Sequence, residues 1–160
     1  MPSKLLYLLR HAKTESSKLK LSDLDRTLTD RAVGDAQKLA AKLRKKEIAF
    51  NLIVASPAVR AITTAQIIAK TLDFRQSHLE VNESLYQANS SDLLELVAGL
   101  HKKASKVLLV GHNPGMEEFA QLLSGEPISM ATCSLIEFDL DIKHWKDIEK
   151  IKHVQVKLIH

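Results

Sequence analysis

The 160-residue sequence predicts an α/β fold: a three-layer αβα sandwich with a mainly parallel sheet, helices on both faces and antiparallel strands at one edge. Three observations predict it. Short apolar runs alternate with longer segments whose apolar residues recur at helical spacing. The runs LYLL, NLIVA and VLLV are continuous, as strands buried on both faces are. Towards the C-terminal end the pattern changes to strict alternation, the mark of strands with one solvent face.

Taken in order, Lys4 to Leu9 is too short an apolar run for a helix and reads as the first strand, stopping at Arg10. Lys13 to Asp25 is polar and reads as a loop, with Ser16, Ser17 and Lys18 as plain loop residues. From Thr29, the residues Ala32, Ala36, Leu39, Ala40 and Leu43 share one helical face. Asp30 at the start and basic residues near Lys46 at the end suit the helix dipole. Asn51 to Ala55 is the second strand. Ser56-Pro57 then reads as N-cap and first helical residue of a helix with Ala61, Ala65, Ile68, Ala69 and Leu72 inward.

Leu79 to Val81 is a weak strand before a loop containing Glu83, and Asp92 with Glu95 resembles a capping box for a helix carrying Leu93, Leu96, Val97 and Leu100. Val107 to Val110 is a third buried strand. Asn113 and Pro114 read as N-cap and first residue of a helix with Met116, Phe119, Ala120 and Leu123 inward and Gly125 as its stop. Ile136, Phe138 and Leu140 alternate with acidic residues; Val154, Val156 and Leu158 alternate with Gln155 and Lys157. These two read as an antiparallel pair at a sheet edge.

A chain of this length with 45% hydrophobic residues supports one domain over residues 1–160. The net charge of +4 comes largely from Lys-rich stretches such as Leu43 to Lys46 and Lys143 to Lys152. No basic stripe is interleaved with aromatics, so these stretches read as solvated helix ends and loops rather than as a nucleic-acid surface. Cys133 is the only cysteine, which excludes an internal disulfide and a Cys-based zinc site. The apolar run at the N-terminus is too short for a signal peptide, and no segment reaches membrane-spanning length. The expectation is a cytoplasmic monomer with no nucleic-acid or membrane partner.

In a mainly parallel sheet, ligands bind at the carboxyl ends of the strands. The polar residues there are Arg10-His11, then Ser56-Pro57 with Arg60 one turn on, and His112-Asn113. Two Arg, two His and two helix starts in one crevice suit a dianion such as a phosphoryl group. There is no Gly-rich phosphate loop with Lys, no acidic metal cluster at the strand ends and no Cys-x5-Arg loop. An imidazole is therefore the available nucleophile, provided it is neutral and fixed through its other nitrogen. His11 is the better placed, with Arg10, Arg60 and His112 left to stabilise the oxyanions. Thr14 and Asn113 are candidate substrate contacts, and Lys13 and Ser56 lie in the same turns. His78, His101, His144, His153 and His160 read as surface residues.

LYLLRHAKT (residues 6–14), SPAVRAITTA (56–65) and VGHNPG (110–115) resemble, in order and spacing, three motifs of the histidine phosphatase (phosphoglycerate mutase-like) superfamily, and RTLTDRAVGDA (26–36) is similar to a fourth, weaker segment. The resemblance implies that His11 takes the phosphoryl group, that Arg10, Arg60 and His112 bind it, and that no cofactor or metal is needed. The RHAKT and GHNPG details are similar to the SixA-type phosphohistidine phosphatases, which implies a phosphohistidine-containing phosphotransfer protein as substrate. Alternatives are a small-molecule phosphomonoesterase of the same mechanism and a non-catalytic phosphate-binding module. Ala32 and Thr27 depart from the Gly and Pro common in the family. Glu83 is the candidate proton donor. The short span between Arg60 and His112 leaves little chain for a lid, which favours hydrolysis over a mutase reaction.

Overall fold

The computed structural model describes residues 3–15 and 22–160, so the loop assignment of Ser16, Ser17 and Lys18 lies outside the described residues. Six strands form one sheet: β1 (Lys4–Arg10), β2 (Leu52–Ala55), β3 (Leu79–Val81), β4 (Lys106–Gly111), β5 (Leu135–Leu140) and β6 (Val156–Leu158), in the order β3-β2-β4-β1-β5-β6. The β3-β2, β2-β4 and β4-β1 pairs are parallel; β5 is antiparallel to β1 and β6 to β5. The expected edge pair is present. It joins the parallel part through β1.

The alternation of side chains along β1 divides the core. Tyr7 and Leu9 pack under α1 (Asp30–Lys45) and α2 (Val59–Thr71) together with Ile53, Leu108 and Val110. Leu6 and Leu8 face the other side, under α3 (Ser90–Ala98) and α4 (Gly115–Ser124), with Val54, Leu109, Phe119 and Phe138. Truncating a fully buried leucine such as Leu8 to alanine costs about 2–5 kcal/mol. A 3-10 turn at Trp145–Lys150 buries Trp145 and Ile148 within the Lys-rich stretch that reads from sequence as surface alone. No helix among the described residues is long and apolar enough to cross a membrane.

Helix ends account for most differences from the sequence reading. Thr29 caps α1, its hydroxyl accepting from Ala32 N–H, and α4 ends at Gly125 in the left-handed region, φ 77°. The capping box of α3, however, is built by Asn89 and Asp92 rather than Asp92 and Glu95. Neither Ser56 nor Asn113 is an N-cap. The helices start later, at Val59 and Gly115, because both side chains are engaged at the strand ends.

Candidate active site

Parallel pairing aligns the ends of β1, β2 and β4: Leu9 and Ala55 both pair with Val110, and Arg10 pairs with Gly111. The next residues of each strand therefore leave the sheet at one edge. Arg10, His11, Lys13, Thr14, Arg26, Arg60, His112 and Asn113 line one cavity of about 420 Å³ there, with Glu15 and Thr132. The rings of His11 and His112 lie 5.1 Å apart, centroid to centroid.

His11 is almost fully buried, and its Nδ1 lies 2.7 Å from the carbonyl oxygen of Ala12. A carbonyl only accepts, so Nδ1 carries the proton and Nε2 keeps its lone pair. The turn is itself fixed: Ala12 N–H donates to Thr64 Oγ1, whose hydroxyl donates to Arg60 O in α2. Burial lowers the pKa of His11 to about 4, and Arg60, Arg10 and Arg26 nearby push in the same direction against the Ala12 hydrogen bond. At neutral pH the ring is an uncharged base.

His112 is held differently. Its Nε2 lies 2.7 Å from Ser56 Oγ, and Ser56 Oγ also accepts from Ala58 N–H. Ser56 is fully buried, and among the described residues His112 is the one acceptor within reach of its hydroxyl proton, so that proton points to His112, Nε2 accepts, and the proton of the neutral ring sits on Nδ1. Nδ1 is buried and has no partner among the described residues. Burial, then the neighbouring His11 and Arg60, lower its pKa to about 3.

The cationic groups are tied at their rims. Arg10 Nη1 and Asn113 Nδ2 both donate to Met130 O, at 3.0 and 2.8 Å, while Arg10 Nε is buried and unpaired. Met130 reaches the site because β5 is antiparallel to β1, so the segment before β5 adjoins the end of β1. Cys133 N–H, from a left-handed residue at φ 64°, donates to Arg10 O and His11 O. Arg26 Nη2 donates to Thr14 Oγ1 at 2.6 Å, and Arg26 Nε is also buried without a partner among the described residues. Arg60 Nη2 lies 3.1 Å from Asp23 Oδ2, and Tyr86 hydroxyl donates to the same carboxylate.

Arg10, His11, Arg60, His112, Thr14 and Asn113 are thus brought together, whereas Glu83 is not. It is exposed on a 3-10 turn (Glu83–Leu85) and lines neither this cavity nor the adjoining one; Leu85 fills the core and Tyr86 turns to the site. Arg26, Asp23, Tyr86 and Met130 were not foreseen. Arg26 and Asp23 sit in the segment that reads as a loop and a motif flank, where only their charge signals a role. A Cβ on Gly115 would collide with the carbonyl oxygen of Ala88, so the close approach of α4 to the loop after β3 explains that glycine of the GHNPG run.

Fold and site together define a cavity at the strand ends whose arginines, beside a neutral imidazole, suit a tetrahedral oxyanion. The model of the histidine phosphatase superfamily (branch 1) matches residues 6–89, just over half of the chain, and the chain belongs to that superfamily. An uncharacterized chloroplastic protein of Arabidopsis thaliana is 32% identical over 140 residues, covering 82% of this chain and 64% of the relative. The chain thus spans somewhat under two thirds of that relative's length. A protein assigned as the phosphohistidine phosphatase SixA, from Agrobacterium tumefaciens, is 28% identical, with a TM-score of 0.76 over 88% of this chain and 93% of its own. A protein from Escherichia coli assigned as an α-ribazole-5'-phosphate phosphatase shares the fold at 18% identity, TM-score 0.73, over 98% of this chain and 95% of its own.

Proposed function

We propose that this chain is a phosphatase that passes the phosphoryl group through a covalent intermediate on His11 and acts on phosphohistidine in a phosphotransfer protein. The observation that carries the reading is the Nδ1 contact of His11 with Ala12 O, which leaves Nε2 unprotonated in a cavity walled by three arginines and a second neutral imidazole.

In the first step His11 Nε2 attacks phosphorus, the bond from phosphorus to the substrate breaks, and the leaving group departs with that electron pair. Arg10, Arg26 and Arg60 balance the charge on the phosphoryl oxygens, and His112 Nδ1–H donates to one of them. In the second step water attacks phosphorus, the P–Nε2 bond breaks, and the water protons leave with the phosphate. The arginines are held at their rims by neutral carbonyl and hydroxyl groups or by Asp23, so little reorganisation is needed when the dianion arrives.

The substrate assignment is supported by the similarity to SixA and by how the chain is spent between Arg60 and His112. Those residues form α2, two 3-10 turns, β3 and α3, with only the short segment from Tyr86 to Asn89 bordering the cavities, which favours an open pocket that a phosphoprotein and water can reach. Rapid acid-free quenching with labelled phosphohistidine protein is expected to trap phosphate on the wild-type chain and none on His11→Ala. A panel of phosphohistidine protein, p-nitrophenyl phosphate and sugar phosphates then tests the substrate class. Equal or better kcat/KM on the sugar phosphates would replace this reading with the small-molecule phosphomonoesterase.

A further inference from the structure

The cavity beside His11 continues into a second compartment of about 390 Å³, and the two share Arg60, His112 and Asn113. The second is lined in addition by Asp23, Tyr86, Gln87, Asn89 and Glu118, and not by His11. Resting on the assignment of His11 as phosphoryl acceptor, we propose that this compartment is the leaving-group subsite and that the Asp23 carboxylate, held by Tyr86 and Arg60, accepts the N–H of a departing imidazole there.

Position is the first argument. A phosphoryl group held at the shared residues Arg60 and His112 has His11 on one side and the second compartment on the other. In-line displacement sends the departing atom away from the nucleophile, hence into that compartment.

Polarity is the second. Among the described residues the first compartment carries Arg10, Lys13, Arg26 and Arg60 against Glu15 alone. The second carries the carboxylates of Asp23 and Glu118; among the described residues Arg60 is the one cation in its lining, and Arg26 Nη1 lies 3.5 Å from Asp23 Oδ1. Asn113 adds an acceptor: its Nδ2 is spent on Met130 O at 2.8 Å, which fixes the amide orientation and leaves Oδ1 buried and without a partner among the described residues. Such a compartment matches a leaving group that brings an N–H donor or positive charge. A second phosphate or a carboxylate on the substrate would face two like charges. The Tyr86 ring stands edge-on to His112, centroids 5.7 Å apart and planes at 86°, giving the subsite an aromatic wall for a flat ring.

Proton balance is the third. The Tyr86 hydrogen bond, followed by Arg60, holds the Asp23 carboxyl below the usual carboxylate range, and Glu83 lies outside both compartments. An alkoxide leaving group would find no proton from either. Phosphohistidine needs none. It enters with phosphorus on one ring nitrogen and hydrogen on the other; as the P–N bond breaks the electron pair stays on nitrogen, and neutral imidazole leaves with its N–H still bound to Asp23. The ionised carboxylate favours the protonated, reactive form of the substrate ring.

The test compares the full chain with Asp23→Asn and Tyr86→Phe on a phosphohistidine peptide and on p-nitrophenyl phosphate, whose leaving group has no N–H. Asp23→Asn also alters Arg60, which touches both substrates, so the readout is the ratio of the two losses. The expected loss of kcat/KM is at least tenfold greater on phosphohistidine for Asp23→Asn, with Tyr86→Phe, which leaves the Arg60 contact in place, moving the ratio the same way. Losses equal within about threefold on both substrates overturn the subsite and leave Asp23 as a positioning residue for Arg60. Wild-type protein without His11-dependent turnover of either substrate overturns the assignment of His11 as well, and turnover of p-nitrophenyl phosphate alone overturns the imidazole subsite.

Discussion

The turns after β1 and β4 carry the same side chain 5.1 Å apart and use it in opposite senses. His11 is anchored by a backbone carbonyl at Nδ1, which no substitution of a neighbouring side chain removes; His112 is anchored by the Ser56 hydroxyl at Nε2. The anchor decides which nitrogen is free and in what form: a lone pair on His11 Nε2, a proton on His112 Nδ1. In the proposed mechanism, these second hydrogen bonds make one of two identical residues the nucleophile and the other a donor. The lesson is that the role of an imidazole is written in what holds its far nitrogen.

The largest effect that would break this comparison is at His112. Replacing it with alanine removes one oxyanion donor, for which a loss of roughly 10²–10³ in kcat is expected. Phosphate should still be trapped on His11 in that variant. Label appearing on His112 in a His11→Ala protein would invert the two roles.

Somewhat smaller is the effect of pH on folding. His11 titrates near 4 in the folded chain against about 6.5 when exposed, so between those values the unfolded chain binds more protons. Stability therefore falls as pH drops through this window, and the contribution is fully present above about 6.5. Lowering the pKa from 6.5 to about 4 corresponds to roughly 3 kcal/mol. Urea melts at pH 7 and pH 4 should show His11→Asn losing less stability than wild type by about that amount, since the carboxylates contribute alike to both. An unchanged difference would mean that the native ring takes up its proton over the same pH range as the unfolded one.

Much of this was legible in the sequence. Continuous apolar runs mark β1, β2 and β4 because strands covered on both faces need no polar alternation, and placing them side by side already brings Arg10, His11, Arg60 and His112 together. What stayed hidden depends on pairing between distant segments. Met130 reaches Arg10 only because β5 runs antiparallel beside β1, and no local pattern in Glu126 to Ser134 states that. Ser56 and Asn113 have the composition of helix caps, yet tertiary partners take both side chains and the helices begin two or three residues later. Glu83 is the reverse case. It has the right charge in the right stretch, but the need to bury Leu85 turns the carboxylate to solvent and Tyr86 to the pocket.

The smallest effect sharpens the comparison most, because it alters only the anchor. Ser56→Ala removes a fully buried hydroxyl that donates to His112 Nε2 and accepts from Ala58 N–H, and leaves His11 with its backbone partner. Without the hydroxyl, His112 distributes between its two tautomers, and only one of them presents a proton on Nδ1. A loss of about tenfold in kcat, close to 1.4 kcal/mol, is expected if the correct tautomer falls to a minor population. The nitrogen-15 shifts of the ring separate this from a loss of packing: in wild type Nδ1 of His112 reads as protonated and Nε2 as a bare acceptor, and in Ser56→Ala the two converge while those of His11 stay apart. Shifts at His112 that do not move would show that the ring is fixed by its surroundings rather than by Ser56, and the contrast between the two turns would then rest on burial instead of on hydrogen bonding.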